Sequence, residues 1–156
     1  MTFVSSSDKQ RYGSSSDRVN SYDDSLEIEK VIPVLRKKYP NAEILSKPYG
    51  EYGIDVVVRE NGQDLIWVEL ERSMGWIGEF RYRSLSFLER KFHFVQEARE
   101  VGAKFVMCWF ESNHEQLVTA QGSIIEQYEP FDKTLRSGRI DTVRHIDIKD
   151  CRFYKI

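Results

Sequence analysis

The chain has 156 residues, 40% of them hydrophobic and 31% charged, which is the composition of one globular domain with a core of its own. Its formal net charge of −2 gives no overall basic excess, so any binding of nucleic acid must rest on local basic patches. No apolar stretch approaches the roughly 18 residues of a membrane span, the N-terminus lacks the apolar core of a signal peptide, and Cys108 and Cys151 form no C-x-x-C pair. A cytoplasmic, reducing location with no membrane contact is therefore expected.

Residues 1–21 carry two Ser-Ser-Ser triplets and few apolar side chains. Such a segment buries too little surface to offset its ordering entropy, so it reads as a flexible arm preceding a single domain over 22–156. The first helix is expected to start near Asp24 or Ser25, either of which suits an N-cap. Ile28, Val31, Ile32, Leu35 and Tyr39 recur at helical spacing to make its apolar face, and Pro33 inside the pattern threatens a kink. A short strand follows around 42–45. The β-branched run Ile54-Asp55-Val56-Val57-Val58, the turn signal Asn61-Gly62 and the returning stretch 65–71 then predict a β-hairpin.

Beyond the hairpin, 72–83 reads as a loop. Leu85, Leu88, Phe92, Val95 and Arg99 suggest a second helix, ended by Gly102. The continuous apolar run 104–110 predicts a central strand covered on both faces. A third helix is expected over 115–127, and one or two strands over 143–148 and 151–156. This order gives an α/β fold with a mixed central sheet flanked by helices.

The chemistry depends on which face of the hairpin each acidic side chain occupies. Glu69 and Glu71 share a face with Trp67, because side chains alternate along a strand. A two-residue Asn61-Gly62 turn would set Asp55 opposite Val68, on the other face from the glutamates. A three-residue loop, Glu60-Asn61-Gly62, would set Asp55 opposite Trp67, on the same face. The second register leaves Ile54, Val56, Val58, Ile66, Val68 and Leu70 on one apolar face. The first would bury Asp55 among those residues, at a cost of at least about a few kcal/mol. The three-residue loop is therefore preferred, and it clusters Asp55, Glu69 and Glu71. Crowded carboxylates call for a hard divalent cation, and Mg²⁺ or Mn²⁺ suits oxygen donors.

The residues Gly53-Ile54-Asp55 and Trp67-Val68-Glu69-Leu70-Glu71, with an acidic helix before them, resemble the PD-(D/E)XK nuclease superfamily. The resemblance spans roughly 24–110. It implies a restriction-endonuclease-like fold and Mg²⁺-dependent endonuclease chemistry on DNA. Asp55 and Glu69 would be the metal ligands. The position two beyond the second acid is usually lysine, which orients or activates the attacking water. Here it is Glu71, an E-x-E variant in which Glu71 acts as a base or a further metal ligand. The superfamily often adds a glutamate from the first helix, for which Glu27 and Glu29 are the candidates and Glu27 is preferred. It also often adds a polar or basic residue from the helix after the hairpin. Lys91 or Arg90 would fill that role and replace the missing lysine. Arg72, Arg81, Arg83 and Arg90, interleaved with Trp76, Phe80 and Tyr82, are candidates for phosphate contact and base stacking. A homodimer, or a place in a larger assembly, would supply the second site that cutting a second strand needs. The alternative is a nuclease-like module that has lost catalysis through Glu71 and binds nucleic acid or a partner protein.

Three histidines without ligand spacing argue against zinc, and no glycine-rich phosphate loop or nucleophile motif is present.

Overall fold

The computed structural model describes residues 24–135 and 137–156; the arm expected over 1–21 lies outside them. Helix α1, Ser25–Lys38, begins where the capping residues suggested. It runs straight through Pro33 and buries Val31 and Leu35. Strands β1 (Glu43–Ser46), β2 (Val56–Glu60) and β3 (Gln63–Ser73) form an antiparallel meander. Then come β4 (Ser84–Leu88), a 3₁₀ turn at Glu89–Lys91, α2 (Phe92–Glu100), β5 (Lys104–Glu111), β6 (Gln116–Gln121) and the short α3 (Gly122–Ile125). The chain ends with β7 (Phe131–Thr134), β8 (Ile140–Asp147) and β9 (Arg152–Lys155).

The main sheet has six strands in the order β1-β2-β3-β5-β6-β9. It is mixed: β3 and β5 run parallel and the remaining pairs are antiparallel. A second sheet, β4-β8-β7, is antiparallel throughout. The main sheet buries both faces. Val31 and Leu35 of α1 pack on Val56, Val58, Ile66, Val68 and Leu70. On the opposite face Val57, Trp67, Phe105, Met107 and Trp109 meet Phe94, Val95 and Ala98 of α2 and Leu85, Phe87 and Ile146 of the second sheet. Each such aliphatic side chain removed from water contributes about 1.5–3 kcal/mol, so the two layers fix the sheet between them.

Two sequence expectations are corrected. The stretch from Leu85 does not begin a helix, for in 84–88 Leu85 and Phe87 are buried and their neighbours half-buried, the alternation of a strand. Its backbone pairs with β8 from Ser84↔Asp147 to Leu88↔Val143. The helix starts only at Phe92, and Gly102 ends it as expected, with φ +80°. Nor is 115–127 one helix. Gln116–Gln121 is a strand that returns along β5, because the tight reversal at 112–115 brings it there with His114 at φ +60°. Only Gly122–Ile125 is helical, and Gly122 is required by close packing: a Cβ there would lie 3.0 Å from Val95 Cγ1 and 3.2 Å from Phe105 Cβ.

The hairpin register is a third correction. Asn61 and Gly62 form a two-residue turn, both at positive φ, with Glu60 opposite Gln63. A β-bulge follows: Arg59 faces Asp64, yet Val58 faces Ile66, which leaves Leu65 as the extra residue. From there Val57 pairs with Trp67 and Val56 with Val68. Asp55 therefore reaches the glutamate face by a bulge and not by a three-residue loop, and it stands one step on, opposite Glu69 rather than Trp67. Ile54, expected with Val56 and Val58, belongs instead to the core on the α2 side.

Candidate active site

At the end of β3, between β2 and the crossover leading to β5, lies a cleft of about 450 Å³. Asp55, Glu69 and Glu71 line it, with Asp24, Lys47, Glu51, Arg72, Arg90 and Lys91. Asp55 and Glu69 are almost wholly buried. The Asp55 carboxylate accepts the Leu70 backbone N–H at 2.8 Å, which turns it along the strand toward its neighbour. Burial, and then the Glu69 charge, hold the Asp55 carboxyl well above the usual carboxylate range. Burial also raises Glu69, against the opposing pull of the Lys91 charge and of a hydrogen bond with Asp55.

Lys91 comes from the 3₁₀ turn that opens α2, and its side chain is buried. Its Nζ lies 3.5 Å from Glu69 Oε2 and 3.4 Å from Glu71 Oε1, so the β3–β5 crossover inserts a cation between the two glutamates. Glu71 is the more open of the two, with 28% of its side chain exposed against 8% for Glu69. Arg90 also reaches the cleft and pairs with Asp141 of β8 at 3.5 Å.

Among the described residues no group of three acidic, histidine or cysteine side chains is gathered as a metal nest, so Glu71 is not brought into a ligand trio with Asp55 and Glu69. Two features nevertheless fit a metal ion. Glu69 Oε1 is buried and accepts no hydrogen bond. The pair offers only oxygen donors, and Mg²⁺ keeps several waters while taking one or two carboxylates.

The structure does not bring Glu27 into this cleft. Its side chain is fully buried under α1, where it pairs with Arg72 Nε at 3.1 Å and with His114 Nε2. Glu27 lies one helical turn before Val31 on the buried side of α1, but Arg72 and His114 arrive from elsewhere in the chain to pair with this carboxylate, and no local spacing announces that. Arg72 is thereby held at the cleft wall. Arg81 and Arg83 are exposed in the loop 74–83 and do not line the cleft.

That loop is firmly stitched. Trp76 is buried, its indole N–H donates to Gly78 O at 2.8 Å, and the Gly78 N–H donates to the Glu111 carboxylate. Sequence reading missed Lys47 and Asp24 as cleft residues. The only local signal was a lysine in the Lys47-Pro48-Tyr49-Gly50 turn that leads into Asp55. No helix among the described residues is long and apolar enough to cross a membrane. Comparison with protein-family models gives no match, and comparison with curated proteins gives none.

Proposed function

We propose that the protein is a metal-dependent endonuclease with a restriction-endonuclease-like fold that hydrolyses phosphodiester bonds of DNA. One observation carries this reading above the others: a lysine from the crossover stands between Glu69 and Glu71, beside the buried Asp55–Glu69 pair. It supplies in space the cation that the sequence lacks at position 71. The mixed sheet, with its acidic hairpin and parallel β3–β5 pair, is consistent with that fold.

In this reading Asp55 and Glu69 would hold Mg²⁺ or Mn²⁺, which when bound would lower the pKa of water and offset charge on a phosphoryl oxygen. Five acidic and four basic residues line the cleft, so a divalent cation turns the local balance toward the sign a phosphodiester needs. Lys91 orients the attacking water and screens its approach to an anionic phosphate. Glu71, the more open glutamate, takes the water's proton as the water oxygen bonds to phosphorus, and the leaving oxygen departs as its own P–O bond breaks and takes a proton from solvent. Arg72 and Arg90 bind neighbouring phosphates, and a second copy of the chain serves the second strand.

The test is cleavage of plasmid DNA with Mg²⁺ or Mn²⁺, alongside Asp55→Ala, Glu69→Ala and Lys91→Ala. Metal-dependent nicking lost in all three variants supports the reading. No cutting with either metal, or equal cutting by the variants, overturns it. The second reading, a module that binds nucleic acid or a partner without cutting, draws on the missing ligand trio. It is favoured if plasmid is bound and left intact.

A further inference from the structure

We infer that Lys47 is a substrate-phosphate ligand of this cleft, held toward the acidic pair by a strained backbone. The inference rests on the proposed nucleic-acid substrate and adds a residue to it. Among the described residues three non-glycine residues have clearly positive φ: Asn61 at 52°, His114 at 60° and Lys47 at 45°. Asparagine and histidine tolerate that region far better than most residues, and lysine has no such local remedy. The conformation is imposed from outside: the Lys47 N–H donates to the Asp55 carbonyl at 2.8 Å, which locks the lysine to the backbone of the first acidic residue.

A second local sacrifice meets the first. Asp24 is the N-cap residue of α1, yet its side chain makes no capping hydrogen bond. It pairs instead with Lys47 Nζ at 2.9 Å. Both residues line the cleft, and Lys47 is close enough to feel the charges of Asp55 and Glu69 as well as that of Asp24. Locally unfavourable choices that converge on one ion pair beside a candidate catalytic centre are characteristic of functional positions. With Lys91 on the Glu71 side and Lys47 on the Asp55 side, the acidic pair is flanked by a cation on either hand. Both lysines are paired, Lys91 with two glutamates and Lys47 with Asp24, but 28% of the Lys47 side chain is exposed against 8% for Lys91, so Lys47 is the one a phosphate reaches from solvent.

The distinguishing variant is Lys47→Gly, because glycine adopts this φ without strain. Binding of a short DNA duplex is measured by fluorescence anisotropy with Ca²⁺ in place of Mg²⁺, at a fixed concentration that fills an oxygen-donor site and does not support cleavage, over a range of monovalent salt concentrations. A lost phosphate contact lowers the slope of log K against log salt by about 1. Lys47→Gly is expected to show that drop, with affinity reduced roughly three- to tenfold and thermal stability equal to or above wild type. Lys47→Arg is expected to restore the slope. An unchanged slope together with a lowered melting temperature makes Lys47 a structural clamp for α1 and overturns the inference. So does a wild-type protein that binds no DNA. Wild type that binds with the expected slope but never cuts with Mg²⁺ or Mn²⁺ removes the nuclease reading and leaves Lys47 as a phosphate ligand. Wild type that cuts while Lys47→Gly keeps its slope removes Lys47 alone.

Discussion

Asp55 and Glu69 show how far a carboxylate pair departs from solvated behaviour when a sheet buries it. Both carboxyls are raised, each by burial first. A raised carboxyl binds its proton more tightly in the folded state than in the unfolded one. Its stabilising contribution is therefore present below the unfolded pKa, about 4, and is lost as pH rises through the folded value. Without metal, the wild type is thus penalised at neutral pH. Asp55→Asn removes one charge and keeps an oxygen for the Leu70 N–H. It is expected to be more stable than wild type by about 1 kcal/mol at pH 7, with the difference shrinking toward pH 4. Urea melts in EDTA across that range check this. Cleavage by the same variant should fall by at least about a hundredfold, since a neutral amide oxygen holds a divalent cation much more weakly than a carboxylate does. Lys91 gives the opposite case. Lys91→Met keeps the buried stem but strips the cation from two glutamates, and it should cost about 3 kcal/mol in a denaturant melt at neutral pH. Glu71→Gln in that background should recover part of the loss.

At the scale of elements, one inserted residue decides whether the site exists. The bulge at Leu65 shifts the hairpin register so that Asp55 and Glu69 share a face. Asp64, beside the bulge, pins it: the carboxylate accepts from Arg59 Nε at 2.7 Å, from Trp67 Nε1 at 3.0 Å and from the Tyr49 hydroxyl. Burial opposes these bonds, but together they hold the Asp64 carboxyl below its usual range. Here the sign reverses. The contribution is present above the unfolded pKa, about 4, and is lost as pH falls through the folded value. Asp64→Ala should therefore cost about 2–3 kcal/mol at pH 7, because it leaves the Trp67 N–H and Arg59 without their partner. The deficit should narrow below about pH 4, measured by thermal melts against pH.

The same hairpin shows what the sequence revealed and what it hid. Alternation in 54–58 and 65–71, and the Asn61-Gly62 signal, were enough to place both strands and to argue that a buried Asp55 would be intolerable. They could not show that Asp55 would be buried all the same, beside Glu69 on the opposite face, because the bulge that puts it there is stabilised by Asp64, Trp67 and Tyr49 acting across the hairpin and from its flank. Leu85 and Phe87 carried helical and strand spacing at once, and pairing with β8, more than fifty residues on, resolved it. Glu27 lay at the edge of an apolar helix face, where nothing local distinguished a site residue from the partner of His114. Lys91, by contrast, was legible with Arg90 through the resemblance, which expects a polar or basic residue from the helix after the hairpin.

For the whole molecule, the candidate site joins parts that would otherwise separate. Asp55 belongs to the β1–β2 side, Glu69 and Glu71 to the centre of the main sheet, and Lys91 to the crossover that also carries the second sheet. A cation shared by Asp55 and Glu69 binds only the folded arrangement, so it stabilises by RT ln(1 + [L]/Kd). At a hundred times Kd this is about 2.7 kcal/mol. In a domain of this size each kcal/mol raises Tm by roughly 2–4 °C. Saturating Mn²⁺ should therefore raise the melting temperature by about 5–11 °C, and EDTA should reverse the shift. The gain at a fixed metal concentration should grow as pH rises, because Kd falls as both carboxyls ionise. Asp55→Asn and Glu69→Gln should each abolish most of the shift, whereas Glu71→Gln should retain much of it, since Glu71 is engaged by Lys91 and lies outside the pair. Differential scanning fluorimetry with Mn²⁺, Mg²⁺ and Ca²⁺ on these three variants separates a two-carboxylate site from a three-carboxylate one. If Glu71→Gln loses the shift as completely as Asp55→Asn, Glu71 is a ligand, and the task of accepting the proton passes to another group.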